Sequence, residues 1–275
     1  MEKEINDYIN EIICGDNVEV LKEFPDSCID LTVTSPPYDN LRSYKGFEWD
    51  FEGTAKELYR VTKKGGVVVW VVNDATINGS ETGTSFRQAL YFKEIGFNLH
   101  DTMIYGKNNP MPVNANRYYP CFEYMFVFSK GKPKTFNPIL EETVTKGRKN
   151  RLKQRNTDGS FRKAYGYGKP VKKYRPRYNV WFYNVGGNQS ATDKIAFEHP
   201  AIFPEQLAED HIVSWTNPGD VVLDPFVGSG TTAKMAALNG RKYIGIDISE
   251  EYCELARKRV TDATKQMNIT NALIK

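Results

Sequence analysis

Two short stretches carry residue types that can do chemistry. Thr34-Ser35-Pro36-Pro37-Tyr38 closes the apolar run CIDLTVTS. A proline lacks the N–H that a β-ladder needs, so two in a row end a strand. The stiff loop that follows presents the Ser35 hydroxyl, the Pro36 carbonyl and the Tyr38 ring at the strand's carboxyl end. Alone, the stretch is equally a rigid Pro-Pro turn with a surface tyrosine. The second stretch, Asp224-Pro225-Phe226-Val227-Gly228-Ser229-Gly230-Thr231-Thr232, follows a strand pattern and opens a helix pattern. Gly228 and Gly230 permit a tight turn and close approach of the backbone to a ligand. A tight turn with no ligand is the bland alternative.

The chemistry of the second stretch narrows its ligand. Gly228-x-Gly230-x-x-Ala233 fits the dinucleotide fingerprint, with Asp247 at a suitable distance to hold ribose hydroxyls. Asp224 argues against a dinucleotide, because a carboxylate just before the turn repels a pyrophosphate and favours a cation. S-adenosylmethionine (AdoMet) carries a sulfonium, an amino group and a ribose diol, and no phosphate. Asp224 can pair with the amino group and Asp247 with the diol, so the loop favours AdoMet over NAD.

The surrounding sequence must hold both loops on one scaffold. Residues 11–130 alternate apolar runs with helical patterns. EIICGD, IDLTVTS, VVVWVVND, HDTMIY and EYMFVFSKG read as strands; NVEVLKEF, EGTAKELYRVTKK and SFRQALYFKEIGF read as helices. The β-branched run after Gly65-Gly66 suits a strand covered on both faces. Residues 196–262 resume the alternation, with a helix over IFPEQLAEDHIVSWT, strands at VVLDPF and KYIGIDI, and helices after each. Strand–helix alternation predicts a mostly parallel sheet with helices on both faces.

Residues 135–195 break the pattern and read as an insertion. Thirteen Lys or Arg stand against one acid, Asp158, between 146 and 177, a local balance of +12 in a chain whose net charge is only +3. The remainder is therefore net negative, and the asymmetry points to a polyanionic partner. Lys146, Arg148, Lys149, Arg151, Lys153, Arg155, Arg162, Lys163, Lys172, Lys173, Arg175 and Arg177 interleave with Tyr, Phe and Trp, as a DNA-contacting surface would. Four scattered cysteines and three scattered histidines give no metal or disulfide spacing. No apolar stretch reaches a membrane span and no signal peptide is visible, so a cytoplasmic protein without a membrane partner is expected. Cys121 is expected in the core, and His100 and His211 as structural.

Together the two loops resemble the DNA amino-methyltransferases. Ser35-Pro36-Pro37-Tyr38 resembles their (Asp/Asn/Ser)-Pro-Pro-(Tyr/Phe) catalytic motif, and Asp224–Thr232 their cofactor motif. The order of catalytic motif, basic region and cofactor motif is that of the permuted β group. HPAIFPEQL, with Phe203, resembles that group's additional cofactor element, and Asp16 in ICGD the element near the adenine.

The resemblance implies a Rossmann-like α/β methyltransferase. Residues 1–134 would form its catalytic part, 135–195 the target-recognition insertion and 196–275 the AdoMet-binding part. It implies methyl transfer from AdoMet to an exocyclic amino nitrogen of a base flipped out of double-stranded DNA. Ser35 and the Pro36 carbonyl would accept the amine's N–H bonds, and Tyr38 would stack on the base. A serine in the first motif position favours cytosine N4, with adenine N6 as the alternative. An RNA or protein amide methyltransferase, or a non-catalytic nucleic-acid-binding module, would fit less of the sequence. The resemblance also admits a homodimer and a separately encoded restriction endonuclease. The loop after the motif, with Asp39, Asn40, Arg42 and Tyr44, could close over base or cofactor, or be ordinary surface; Asp74 could help shape the pocket.

Overall fold

The structure, a computed structural model, describes residues 4–37, 39, 49–113, 116–186, 189–199 and 202–274. Tyr38 lies outside the described residues, as do Asn40, Arg42 and Tyr44. The strands are β1 (Glu11–Cys14), β2 (Ile29–Thr34), β3 (Thr62–Val72), β4 (Thr76–Ile77), β5 (Ser80–Glu81), β6 (Asn98–Lys107), β7 (Phe122–Ser129), β8 (Leu140–Glu142), β9 (Lys153–Arg155), β10 (Phe161–Lys163), β11 (Tyr174–Pro176), β12 (Val180–Tyr183), β13 (Val221–Asp224) and β14 (Lys242–Asp247). The helices are α1 (Asn17–Lys22), α2 (Phe51–Val61), α3 (Thr84–Glu94), α4 (Glu205–Trp215), α5 (Thr231–Leu238) and α6 (Glu250–Ile274).

The chain divides into one unit up to Asn137 and from Asn179 onward, and a second over Pro138–Tyr178. The first is built on an eight-stranded sheet in the order β1-β14-β13-β2-β3-β7-β6-β12. Only the pairings of β7 with β3 and β6 are antiparallel; the others are parallel. Val67 to Val72 of β3 are all buried, as a central strand covered on both faces requires. Trp70 and Phe92 lie 5.1 Å apart between ring centroids, and Phe92 stacks on Phe128 at 4.5 Å. α5 packs between α4 and α6.

This topology decides where a ligand can sit. From β13 the chain passes through α5 to β14 on one side; from β2 it passes through α2 to β3 on the other. β13 and β2 are direct neighbours, with Leu223 opposite Thr32. Their carboxyl ends therefore flank the switch point where open α/β sheets bind ligands. The serine–proline loop and the glycine loop, far apart in sequence, leave adjacent strands at that edge.

Three expectations are corrected. The helix expected through Lys64 ends at Val61, because Thr62 takes extended dihedrals and pairs with Ile29 as the start of β3. The inserted unit is narrower than 135–195, because Val180–Tyr183 joins the main sheet parallel to β6. Cys121 is exposed rather than in the core, since it precedes β7 and its apolar stretch. His211 is buried against Met125 and Trp215, and burial pushes its imidazole down to about 3.

The second unit holds β8 paired with β11 and β9 paired with β10, both antiparallel. None of residues 138–178 is buried. It is secured by backbone pairing, tight turns and surface contacts instead of a core.

Candidate active site

The two loops are locked together from beneath. The Thr34 hydroxyl donates to Asp224 Oδ1 at 2.6 Å, and the Phe226 N–H donates to the same oxygen at 3.1 Å. The Thr232 hydroxyl donates to the Val33 carbonyl at 3.0 Å. A polar group taken out of water is costly unless it is hydrogen-bonded, so these buried bonds fix the register of both strand ends. Burial pushes the Asp224 carboxyl up to about 6, against the pull of its hydrogen bonds and with the Asp247 charge adding to the rise.

Gly228 and Gly230 are where glycine is required. Both have positive φ, 47° and 83°. A Cβ on Gly228 would come 2.9 Å from His199 Nε2, and one on Gly230 would come 2.8 Å from the Ala256 Cβ. The Gly228 N–H donates to Asp247 Oδ2 at 3.0 Å, while Oδ1 accepts from the Ser249 N–H at 2.9 Å. Burial raises the Asp247 carboxyl as well.

Above this floor lies a cavity of about 530 Å³. Asp16, Phe203, Pro225, Phe226, Gly228, Ser229, Thr231 and Asp247 line it, as do Ser35 and Pro37. Residues from both loops, and from the elements before α1 and α4, thus meet around one space. Asp224, Gly230 and Thr232 are not on the wall, and Pro36 stands in the chain between two residues that are, Ser35 and Pro37. Asp224 was expected to face a ligand directly; its carboxylate is instead turned beneath Phe226 onto Thr34, because the buried hydroxyl and N–H satisfy it there. Asp16 also caps α1, its Oδ1 accepting from the Val18 and Glu19 N–H groups at 2.9 and 3.0 Å. Asp39 Oδ2 accepts from the Ala75 N–H at 3.0 Å and from the Thr82 hydroxyl. Asp74, for which a part in shaping the pocket was one of the readings open, holds the start of α3 through the Ser85 N–H and hydroxyl at 2.9 and 2.6 Å.

Sequence reasoning missed other wall residues. Trp49 lines the cavity and meets Phe226 edge-on at 5.0 Å. Its place at the far end of the loop after the proline motif was the available signal. Tyr105, Lys107 and Glu123 come from β6 and β7, and nothing local in the sequence marks them.

A buried ionic cluster braces the glycine loop from behind. Arg259 on α6 donates to Asp193 at 2.9 and 3.1 Å, to Glu205 Oε1 at 2.8 Å and to the Ser229 carbonyl at 2.5 Å. Lys234 on α5 donates to Asp193 Oδ2 and Glu205 Oε1, each at 2.6 Å. Two cations and two anions balance, and the Thr192 N–H and hydroxyl satisfy the other Glu205 oxygen. Burial pushes the Asp193 carboxyl up, but Arg259 and Lys234 outweigh it and hold it at about 2.

The expected DNA-contacting residues all lie in the second unit. Lys146, Arg148, Lys149, Arg151, Lys153, Arg155, Arg162, Lys163, Lys172 and Lys173 are exposed. Arg175 and Arg177 are half-buried and already bound to Glu141 at 3.1 and 3.4 Å, and Arg175 stacks 3.6 Å over the Tyr178 ring. Lys146 also pairs with Glu142. Among the described residues no group of acids, histidines or cysteines could hold a metal ion, and no helix is long and apolar enough to cross a membrane.

A family model for N6 and N4 enzymes, described as DNA methylase, matches residues 29–258. The chain belongs to that DNA amino-methyltransferase family. The orphan methyltransferase M.BamHII of Bacillus amyloliquefaciens is 60% identical over 243 residues, covering 86% of this chain and 89% of its own. The DNA adenine methyltransferase YhdJ of Escherichia coli (strain K12) is 31% identical over 272 residues, covering 92% and 83%. The solved structure of the M1.HpyAVI–SAM complex matches with a TM-score of 0.63 at 25% identity, covering 91% of this chain and 98% of that one. The methyl donor of the family is AdoMet, and the cavity suits it. Two acids, apolar rings and a glycine turn line one half, and among the described lining residues the one Lys or Arg, Lys107, is paired with Glu123.

Arg259→Met should cost about 3–5 kcal/mol of stability, because among the described residues it leaves the Asp193 and Glu205 carboxylates with Lys234 as their one cationic partner. Urea denaturation checks this, and adding Asp193→Asn to the variant should recover part of the loss.

Proposed function

We propose that this methyltransferase acts at a specific sequence in duplex DNA and methylates an exocyclic amino nitrogen, cytosine N4 in preference to adenine N6. The observation that carries the reading is the sharing of one cavity by Ser35 and the acid-lined, glycine-turned wall. Bound AdoMet supplies an electrophilic methyl group. Asp247 would accept hydrogen bonds from its ribose hydroxyls, Asp16 would hold its adenine side, and Phe203, near the methionine part, and Phe226 would pack on its apolar parts. Asp224 contributes charge from beneath the wall.

An exocyclic base nitrogen is a poor nucleophile because its lone pair is delocalised into the ring. The Ser35 hydroxyl and the Pro36 carbonyl accept its N–H bonds and draw it toward tetrahedral geometry. Tyr38 stacks on the base, and aromatic stacking worth about 1–3 kcal/mol offsets much of the cost of flipping it out. No covalent enzyme intermediate is required; alignment and electrostatics suffice. The serine supports cytosine N4 through the family's association of residue and base, while the likeness to an adenine methyltransferase, YhdJ, supports the second reading, adenine N6. The likeness to an orphan methyltransferase supports a solitary enzyme over one paired with an endonuclease. The basic unit over 138–178 supplies the phosphate contacts.

Expression in a host free of DNA methylation, followed by sequencing of the modified sites and mass spectrometry of the nucleosides, tests the proposal. N4-methylcytosine in a short motif supports it in full, N6-methyladenine supports the second reading, and unmodified DNA from a folded, AdoMet-binding protein refutes both.

Ser35→Ala should lower turnover by roughly 10²–10³, as loss of one aligned polar group does. AdoMet affinity measured by calorimetry should stay unchanged. Asp224 has a pKa raised in the folded state, so its contribution to stability is full below its unfolded value and is lost as pH rises through about 6. Asp224→Asn should therefore stabilise the cofactor-free protein relative to wild type above pH 6 and not at pH 4, while weakening AdoMet binding at pH 7.5. Denaturation and calorimetry across that range check both signs. Lys172→Gln with Lys173→Gln should lower DNA affinity and reduce the salt slope by about 2, in titrations at several salt concentrations.

A further inference from the structure

One ion pair on the cavity wall has no part in the reading above. Lys107 ends β6 and Glu123 lies at the start of the neighbouring β7. The Lys107 ammonium is 2.6 Å from Glu123 Oε1, and the two side chains are only 23% and 12% exposed. The strands hold them there: the Lys107 N–H donates to the Cys121 carbonyl at 2.7 Å, and Tyr105 faces Glu123 across the ladder. Tyr105 lies two residues before Lys107 and on the same face, and all three line the cavity. A charge pair that only clasped two strand ends would sit as well in water, where desolvation costs nothing.

The sheet order puts this pair at the opposite end of the cavity from the acid-lined wall. β2, which Ser35 follows directly, is separated by β3 alone from β7 and its Glu123, the carboxylate that the Lys107 ammonium on the next strand, β6, reaches. Two strand spacings span roughly 10 Å, enough for a base ring and the hydrogen bonds on either side of it.

We infer that Lys107, held in place by Glu123, donates a hydrogen bond to the Watson–Crick edge of the target base and thereby admits amino bases and rejects keto bases. This rests on the reading that the Ser35 cavity takes an exocyclic amine. Cytosine and adenine each carry an unprotonated ring nitrogen beside that amine, N3 and N1 respectively. Guanine and thymine present a carbonyl oxygen and a protonated ring nitrogen at the same places. Ser35 and the Pro36 carbonyl accept, and Lys107 donates, so the set matches the donor–acceptor order of cytosine and adenine. For guanine or thymine, acceptor meets acceptor and donor meets donor. Glu123 cancels the ammonium charge, so the reader does not repel a cationic cofactor. Glu123 is a positioning residue here, while Lys107 touches the base.

The test uses duplexes carrying the sequence that the wild-type protein methylates, with either the natural target base or the analogue whose ring nitrogen is C–H (3-deazacytosine or 1-deazaadenine). In single-turnover assays the wild-type enzyme should prefer the natural base by about 10- to 100-fold, the worth of a hydrogen bond to a charged group. Lys107→Met keeps the apolar stem; it should slow transfer to the natural base by a similar factor and treat both duplexes alike, with AdoMet affinity unchanged. If Lys107→Met does not fold, Glu123→Gln, which loosens the ammonium, should shrink the preference. A wild-type enzyme without the preference, or a variant that keeps it in full, overturns the inference alone. Failure of the wild-type protein to methylate any duplex overturns the amine reading beneath it as well.

Discussion

A single buried hydrogen bond, from the Thr34 hydroxyl to the Asp224 carboxylate at 2.6 Å, joins residues 190 positions apart in the chain. It ties the last residue of β2 to the last residue of β13, and the two functional loops begin at the next residue in each case. A slip of one residue in either strand would turn every side chain to the other face. It would carry Ser35 away from the glycine turn and leave an acid stranded in the core. The bond from Thr232 to the Val33 carbonyl pins the start of α5 to the same point. The relative placement of the serine–proline loop and the glycine loop is therefore set by the sheet, with the loops only continuing what the strands dictate.

The cluster of Arg259, Lys234, Asp193 and Glu205 does for the outer side of the glycine loop what that bond does for the inner side. Ion pairs this buried add little net stability compared with apolar packing, but they tolerate few alternative arrangements. Four charges from α4, α5, α6 and the segment before α4 must find one another before any is satisfied. The Ser229 carbonyl, held by Arg259, is part of that arrangement. The loop is thus shaped before any ligand arrives, and less ordering cost falls on binding.

Much of this was legible in the sequence, and what was not has physical causes. Strand–helix alternation and the two punctuated loops are local patterns, so the parallel sheet, Ser35 and the acid–glycine turn could be read directly. Lys107 and Glu123 could not, since their positions on the wall depend on which strands pair. Lys107 meets Glu123 only because β6 and β7 run antiparallel. Arg259 and Lys234 look like ordinary helix-face cations until α5 and α6 pack. Asp224 was read for its charge, but not for the hydroxyl that turns it inward. The far boundary of the insertion was misjudged because Val180–Tyr183 is short, aromatic and adjacent to basic residues, so its membership of the sheet leaves little periodic trace.

Both ends of the basic unit emerge from fixed points of the main sheet region. The Asn137 N–H donates to the Ser214 carbonyl at 2.8 Å and its side chain to the Thr216 carbonyl at 3.0 Å, while the Asn179 carbonyl accepts from the Ile104 N–H at 2.9 Å. Between these moorings no residue of 138–178 contributes to a core. Mutation there meets almost none of the volume and polarity constraints that govern the catalytic half. Such a segment can be lengthened, shortened or exchanged without disturbing the packing that fixes the eight-stranded sheet and its cavity, so sequence change there is buffered from the rest of the molecule.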